Sequence, residues 1–182
     1  MRACEDPGVP PPRTAEGQQT KRRLIAAIAG SVVVLDAITK AIASRALAGR
    51  GIVDVFGGAF HLELYRRRRR CNILTGHPLL VSVLSLIGVT LIAGYAWRVR
   101  TTSYAVAVAL LLGGGAGNLL DRLLRAPGPL RGGVVDWIKP TLSSGSLNLA
   151  DLAINAGVAA MLVALVLEAY RRPRAEPDLD LG

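Results

Sequence analysis

The sequence predicts an all-α membrane protein, a four-transmembrane-helix bundle with a small extracytoplasmic β-sheet between its first and second helices. Three observations predict it. Of the 182 residues, 51% are hydrophobic and the mean hydropathy is +0.39, and the apolar residues gather into four runs, about 24–43, 79–97, 104–122 and 152–170. Crossing a hydrocarbon core of roughly 30 Å takes about 20 helical residues, so each run is long enough or nearly so. Leu, Val, Ile and Ala also occur all round each helix rather than along one stripe, as in segments that face lipid and one another. Finally, Phe60, Leu62 and Leu64 alternate with His61, Glu63 and Tyr65 after a Gly57-Gly58 turn signal. That period of two marks a strand and places a sheet over about 51–70.

The first run follows Lys21, Arg22 and Arg23, and Ala46-Leu47-Ala48 looks like a cleavage site. A cleaved leader is the alternative to a retained span. The run is too long for a leader core, and Asp36 and Lys40 interrupt it, which favours a retained span. Residues 1–20, rich in Pro, Gly and polar side chains, read as a disordered tail, and 171–182 as a second tail that ends acidic. Arg98 to Ser103 is a short basic turn between runs two and three. A Pro- and Gly-bearing loop joins runs three and four, with Trp137 as an interface anchor.

The net charge of +9 invites a nucleic-acid reading. The Lys and Arg flank the apolar runs instead of forming a stripe interleaved with aromatics, so no nucleic-acid partner is expected. Cys4 and Cys71 have neither metal-ligand spacing nor a disulfide framework, and His61 and His77 have no second ligand, so no metal is expected. With both termini inside, inner segments and outer loops carry ten Lys/Arg each, and the Arg66–Arg70 run supplies five of the outer ten. Setting that run aside, the loops favour cytoplasmic termini.

Charge inside the apolar runs carries the chemistry. A charged side chain near the bilayer centre costs about 2.5–3.5 kcal/mol on insertion scales. Asp36 and Lys40, four apart, share a helix face; they form either a neutralised pair orienting the first span or part of a site. Asn118, Asp121 and Arg122 end the third run, after glycines suited to close helix packing. Asn148 and Asp151 repeat the Asn-then-Asp spacing at the start of the fourth. Because run three goes outward and run four returns, Asp121 and Asp151 share one leaflet. Two adjacent carboxylates do not easily both ionise, so such a pair offers one base and one acid for water attack on a peptide carbonyl. The alternative is that these Asp cap helix ends or pair with Arg122.

Leu35-Asp36-Ala37-Ile38-Thr39-Lys40, then Gly114-Gly115-Ala116-Gly117-Asn118-Leu119-Leu120-Asp121-Arg122, Val134-Val135-Asp136, and Leu147-Asn148-Leu149-Ala150-Asp151 together resemble lipoprotein signal peptidase (signal peptidase II). The similarity covers about residues 24–170 and implies a membrane peptidase domain over 21–170. It also implies a cofactor-free aspartyl endopeptidase of the bacterial cytoplasmic membrane, monomeric, acting on lipid-modified prolipoprotein precursors and meeting membrane lipid. Such an enzyme cuts before the diacylglyceryl-bearing cysteine. The resemblance implies Asp121 and Asp151 as the catalytic pair. Asp36, Lys40, Arg66, Asn118, Arg122, Asp136, Asn148 and Ala150 would shape or support the site. The sheet would cradle substrate.

One departure stands out: Arg67, within Arg66–Arg70, occupies the place where the family has a substrate-contacting Asn. The run is either a solvated loop on anionic headgroups or a change in substrate handling. An impaired homologue that only binds precursors is thus a second reading, and a proton-coupled transporter using the three Asp is a third. Arg67→Asn is expected to alter the kcat/KM for a lipidated precursor; unchanged cleavage would reduce the run to a solvated loop.

Overall fold

The computed structural model describes residues 15–66, 77–142 and 145–171. Arg67 to Arg70 and Cys71 lie outside them, as do 1–14 and 172–182 of the expected tails. The elements are α1 (Ala15–Ala46), β1 (Val53–Val55), β2 (Phe60–Arg66), α2 (Pro78–Ala96), α3 (Thr102–Leu124), β3 (Val135–Pro140) and α4 (Leu149–Arg171). Each of the four helices contains a stretch long and apolar enough to cross a membrane. The chain is a multi-pass membrane protein.

The apolar runs locate the spans but not the helix ends. α1 starts at Ala15 rather than near Leu24, because Glu16, Gln18, Gln19, Lys21 and Arg22 are good helix formers and carry the helix past the hydrocarbon. Residues 15–20 therefore belong to a helix, not to a tail. At the other helix starts the sequence supplies stops of its own. Pro78 stands in the first turn of α2, and Thr101 accepts the Tyr104 N–H at the start of α3.

α3 lies at the centre, packed against α1, α2 and α4. Its composition explains this: Ala105, Ala107, Val108, Ala109, Gly113, Gly114 and Gly117 are buried, while large side chains such as Leu91 on α2 and Leu162 on α4 face outward. Lipid tails are as apolar as leucine, so helices associate through close packing of small residues. A Cβ on Gly114 would stand 2.4 Å from the Ala150 carbonyl oxygen of α4, and one on Gly113 2.7 Å from Val32 Cβ of α1. From the other side, Gly157 of α4 seats against Leu111 and Ala107 of α3.

The expected sheet is present, and it has a strand more than the sequence showed. β1, β2 and β3 pair antiparallel in that order, with Val53 opposite Leu62 and Leu62 opposite Ile138. β3 comes from the loop between α3 and α4. Its six residues, Val135–Pro140, are too few to show alternation by themselves, and β2 supplies the pairing that makes them a strand. Leu147 adds a bridge to Ile138. Thr141 donates to the Gly58 carbonyl and touches His61 Nε2, while His61 Nδ1 meets Asp54 Oδ1. The hairpin is thereby pinned to the end of β3.

Gly114→Ala is expected to destabilise the bundle by about 1–3 kcal/mol through overpacking, read as a lower unfolding midpoint in detergent. Gly88 has nothing within 4 Å of its added Cβ, so Gly88→Ala is expected to be neutral or to stabilise by up to about 1 kcal/mol.

Candidate active site

All the buried charge of the described residues gathers at the sheet end of the bundle. α1 delivers Asp36 and Lys40 one turn apart. Lys40 Nζ lies 2.6 Å from Asp36 Oδ2, 2.8 Å from Asp121 Oδ2 on α3, and 3.3 Å from Asn118 Oδ1. Lys40 is fully buried and Asp36 is 1% exposed. An ammonium donates only, so its contact fixes the Asn118 amide with oxygen toward Lys40 and nitrogen away. That nitrogen donates to Asp151 Oδ1 at 2.8 Å.

α4 begins inside this cluster. Asn148 precedes the helix, and its Oδ1 accepts the Asp151 N–H at 2.9 Å, which satisfies one of the free donors of the first turn. Asp36 Oδ1 accepts another, from Ala150 N at 2.9 Å. Ala150 is fully buried, and a Cβ added to Gly117 would stand 2.8 Å from Asp36 Oδ2, so position 117 must stay small. The sequence expected Asp36 either to pair with Lys40 or to serve a site; the geometry has it do the first while also holding the start of α4.

The Asn148 side chain joins two further groups. Its nitrogen donates to Asp136 Oδ1 at 2.8 Å and to Asn118 Oδ1 at 3.1 Å. Asp136, at the start of β3, is fully buried, and Ser146 Oγ lies 3.4 Å from its Oδ2. Asp136 and Asp151 are thus joined through the amides of Asn148 and Asn118. Both amides are neutral.

Asp121 is held differently. Lys40 takes Oδ2, Arg125 Nε approaches Oδ1 at 2.5 Å, and the Val135 N–H lies 3.4 Å from Oδ2. Arg122, on the same turn, reaches across to Ser85 Oγ of α2 at 3.4 Å. Arg66 ends β2 with its backbone opposite Val135, beside the site. Topology therefore brings Asp121 and Asp151 to one end, as expected, and adds Asp136 between them and the sheet.

The family model for signal peptidase (SPase) II matches residues 28–167. The chain belongs to the signal peptidase II family. Its curated relatives include the lipoprotein signal peptidase of Mycobacterium avium, 35% identical over 171 residues, which are 87% of this chain and 90% of that one. That of Mycolicibacterium smegmatis is 34% identical over 180 residues, 90% and 73% of the two chains. A solved bacterial membrane enzyme superposes with a TM-score of 0.68 at 23% identity, covering 84% of this chain and 93% of its own, and shares the fold. The resemblance read from the motifs holds, and this signal peptidase II is a membrane peptidase.

Residues that the sequence reading passed over are Arg125, Ser85 and Ser146. Arg125 had a signal: it stands four after Asp121, the helical ion-pair spacing. Lys40→Met would leave Asp36 without its ammonium and Asp121 with Arg125 alone. Breaking a buried ion pair from one side costs about 3–5 kcal/mol. That loss is expected on unfolding in detergent, and Asp36→Asn added to Lys40→Met is expected to recover part of it.

Proposed function

We propose that this enzyme removes the signal peptide from lipid-modified lipoprotein precursors, cutting before the diacylglyceryl-bearing cysteine, with Asp121 and Asp151 as its working carboxylates. The observation that supports the pairing is that α3 and α4 deliver both carboxylates to one hydrogen-bonded cluster. Lys40 Nζ stands 2.8 Å from Asp121 Oδ2 and 3.3 Å from Asn118 Oδ1, and the Asn118 nitrogen donates to Asp151 Oδ1 at 2.8 Å. Asp136, which accepts from the Asn148 amide, ties β3 to that cluster and serves as a support.

The chemistry follows from one carboxylate ionised and one protonated. The ionised member takes a proton from a water whose oxygen attacks the scissile carbonyl carbon. The protonated member donates a hydrogen bond to the carbonyl oxygen as negative charge develops there. As the tetrahedral intermediate collapses, the C–N bond breaks and the leaving amine nitrogen receives the proton that the base took from the water. Carboxylic acid and free amine result. Lys40 keeps Asp121 in place throughout, and Asn118 and Asn148 keep Asp151.

Position supports the substrate assignment. The site lies where α3 ends and α4 begins, beneath the sheet. With both termini on the cytoplasmic side, that is the outer leaflet of the bacterial cytoplasmic membrane, the level at which a lipid-bearing cysteine holds its peptide bond. The sheet, joined to the site by Asp136 itself, then lies over the precursor chain. The enzyme works as a monomer within its lipid.

Asp121→Asn and Asp151→Asn are each expected to slow cleavage of a lipidated precursor by about 10²–10⁴-fold, the usual worth of general acid–base catalysis. Asp136→Asn, which alters a supporting contact, is expected to slow it less. Gel-shift time courses on one precursor measure all three. Full processing by either Asp121→Asn or Asp151→Asn would overturn the pairing.

A further inference from the structure

We infer that the end of the bundle away from the site binds an acidic phospholipid, with its phosphate seated between the start of α1 and the turn joining α2 to α3. The residues concerned take no part in the cleavage chemistry, so this lipid site stands apart from the pairing proposed above.

Three observations carry it. First, five cations meet at one corner. α1 brings Lys21, Arg22 and Arg23, and the α2–α3 turn brings Arg98 and Arg100. Two contacts join these segments. The Lys21 ammonium donates to the Arg100 carbonyl, and the Arg22 guanidinium lies over the Trp97 ring, 4.3 Å from its centroid. Among the described residues no carboxylate forms an ion pair with any of the five. Glu168, an acid of the same end, accepts from the Tyr104 hydroxyl at 2.7 Å. Glu16 stands seven residues before Arg23, roughly 10 Å further out along the helix. The described residues thus leave the positive charge of this corner unpaired.

Second, the corner is held in shape. Val99, between the two arginines of the turn, is buried in a core cluster with Ile25, Ala105 and Val108, which fastens the turn against α1. The Arg98 N–H bonds to the Tyr95 carbonyl at 2.8 Å. Stacking on Trp97 restrains Arg22 and leaves the N–H groups at the guanidinium edge free to donate in its plane. Lys21 has three donors and spends one on Arg100. Donors placed before a ligand arrives lose less freedom when it binds.

Third, the surroundings select the kind of anion. Trp97 and Tyr95 are exposed, as is Leu91 one turn deeper on α2. Exposed aromatic side chains at a span's end suit the headgroup level of a membrane, and a leucine below them suits acyl chains. α3 runs from Thr102 to Leu124, which sets this corner roughly 30 Å from Asp121, the thickness of a hydrocarbon core. The corner therefore lies at the opposite membrane surface. A lipid phosphate offers its oxygens to the arginine forks, while its glycerol meets the aromatics and its chains follow α2. A soluble anion would leave the apolar face unused.

The test is lipid binding to the full chain, stripped of lipid in neutral detergent, read by native mass spectrometry and by the unfolding midpoint. Dioleoyl phosphatidylglycerol is expected to bind and to raise the midpoint. Dioleoyl phosphatidylcholine, which carries no net charge, is expected to bind about tenfold more weakly. Arg22→Gln together with Arg100→Gln is expected to weaken phosphatidylglycerol binding by about 25-fold, about fivefold for each basic residue lost. Trp97→Leu alters no charge and is expected to weaken it by about threefold, because Arg22 loses its stacking surface. Arg45→Gln with Arg50→Gln removes the same charge at the other end of α1, and is expected to match wild type. Equal binding of the two lipids, wild-type affinity in the Arg22 and Arg100 variant, or an equal loss in the Arg45 and Arg50 control would each overturn the inference. Unchanged affinity in Trp97→Leu would also overturn it, by reducing the corner to diffuse charge. Competition by glycerol phosphate at the lipid's own concentration would mark a soluble anion as the ligand. Binding about tenfold tighter after Glu176→Gln, Asp178→Asn and Asp180→Asn would mark the chain's own acidic segment as the occupant. Either result contradicts a lipid site.

Discussion

The Lys40 ammonium organises the rest of the molecule. A buried cation in a membrane span is tolerable only if its donors are met, and Lys40 meets Asp36 of its own helix together with Asp121 and Asn118 of α3. Those contacts fix the rotation of α1 against α3. Asp36 then carries the constraint onward by accepting the Ala150 N–H, which fixes where α4 begins. Three helices are thus registered by one charge cluster, and lipid outside makes no competing offer of hydrogen bonds.

Close approach is the companion requirement. The Lys40 cluster can form only if α1 and α4 come within reach of α3, and the glycines permit this. Gly117 lies where a Cβ would stand 2.8 Å from Asp36 Oδ2, and Gly114 where one would overlap the backbone of α4. The same stretch therefore does two jobs. Its small residues supply the packing energy between helices, and the closeness they allow brings carboxylate, ammonium and amide into hydrogen-bond range. Charges strung through the membrane depth would suit a proton relay; these lie together at one end, as hydrolysis at a single bond requires.

Much of this was legible in the residues. Run length located four spans because bilayer thickness sets it, and the antiparallel path of runs three and four placed Asn118, Asp121, Asn148 and Asp151 at one level. Alternation around Phe60–Tyr65 exposed β2. Other features depend on partners distant in sequence. β3 has too few residues to alternate visibly and exists because β2 lies beside it. The start of α1 at Ala15 escaped a test based on apolarity, since polar helix formers extend it. The site showed the same division. Topology identified which acids meet, but not what holds each: the Lys40 and Arg125 contacts of Asp121 and the Asn118 and Asn148 contacts of Asp151 exist only in the folded bundle. Asp136 was recognised through its motif, while its burial and its amide partner are properties of the folded loop.

We propose that Asp121 and Asp151 act on the peptide bond together. The most direct measurement is a crystal structure of the enzyme with a peptide mimic whose scissile amide is replaced by a hydroxyl-bearing tetrahedral carbon. That hydroxyl is expected within hydrogen-bond distance of both Asp121 and Asp151. A hydroxyl seated against Asp136, with Asp121 or Asp151 turned away, would contradict the pairing.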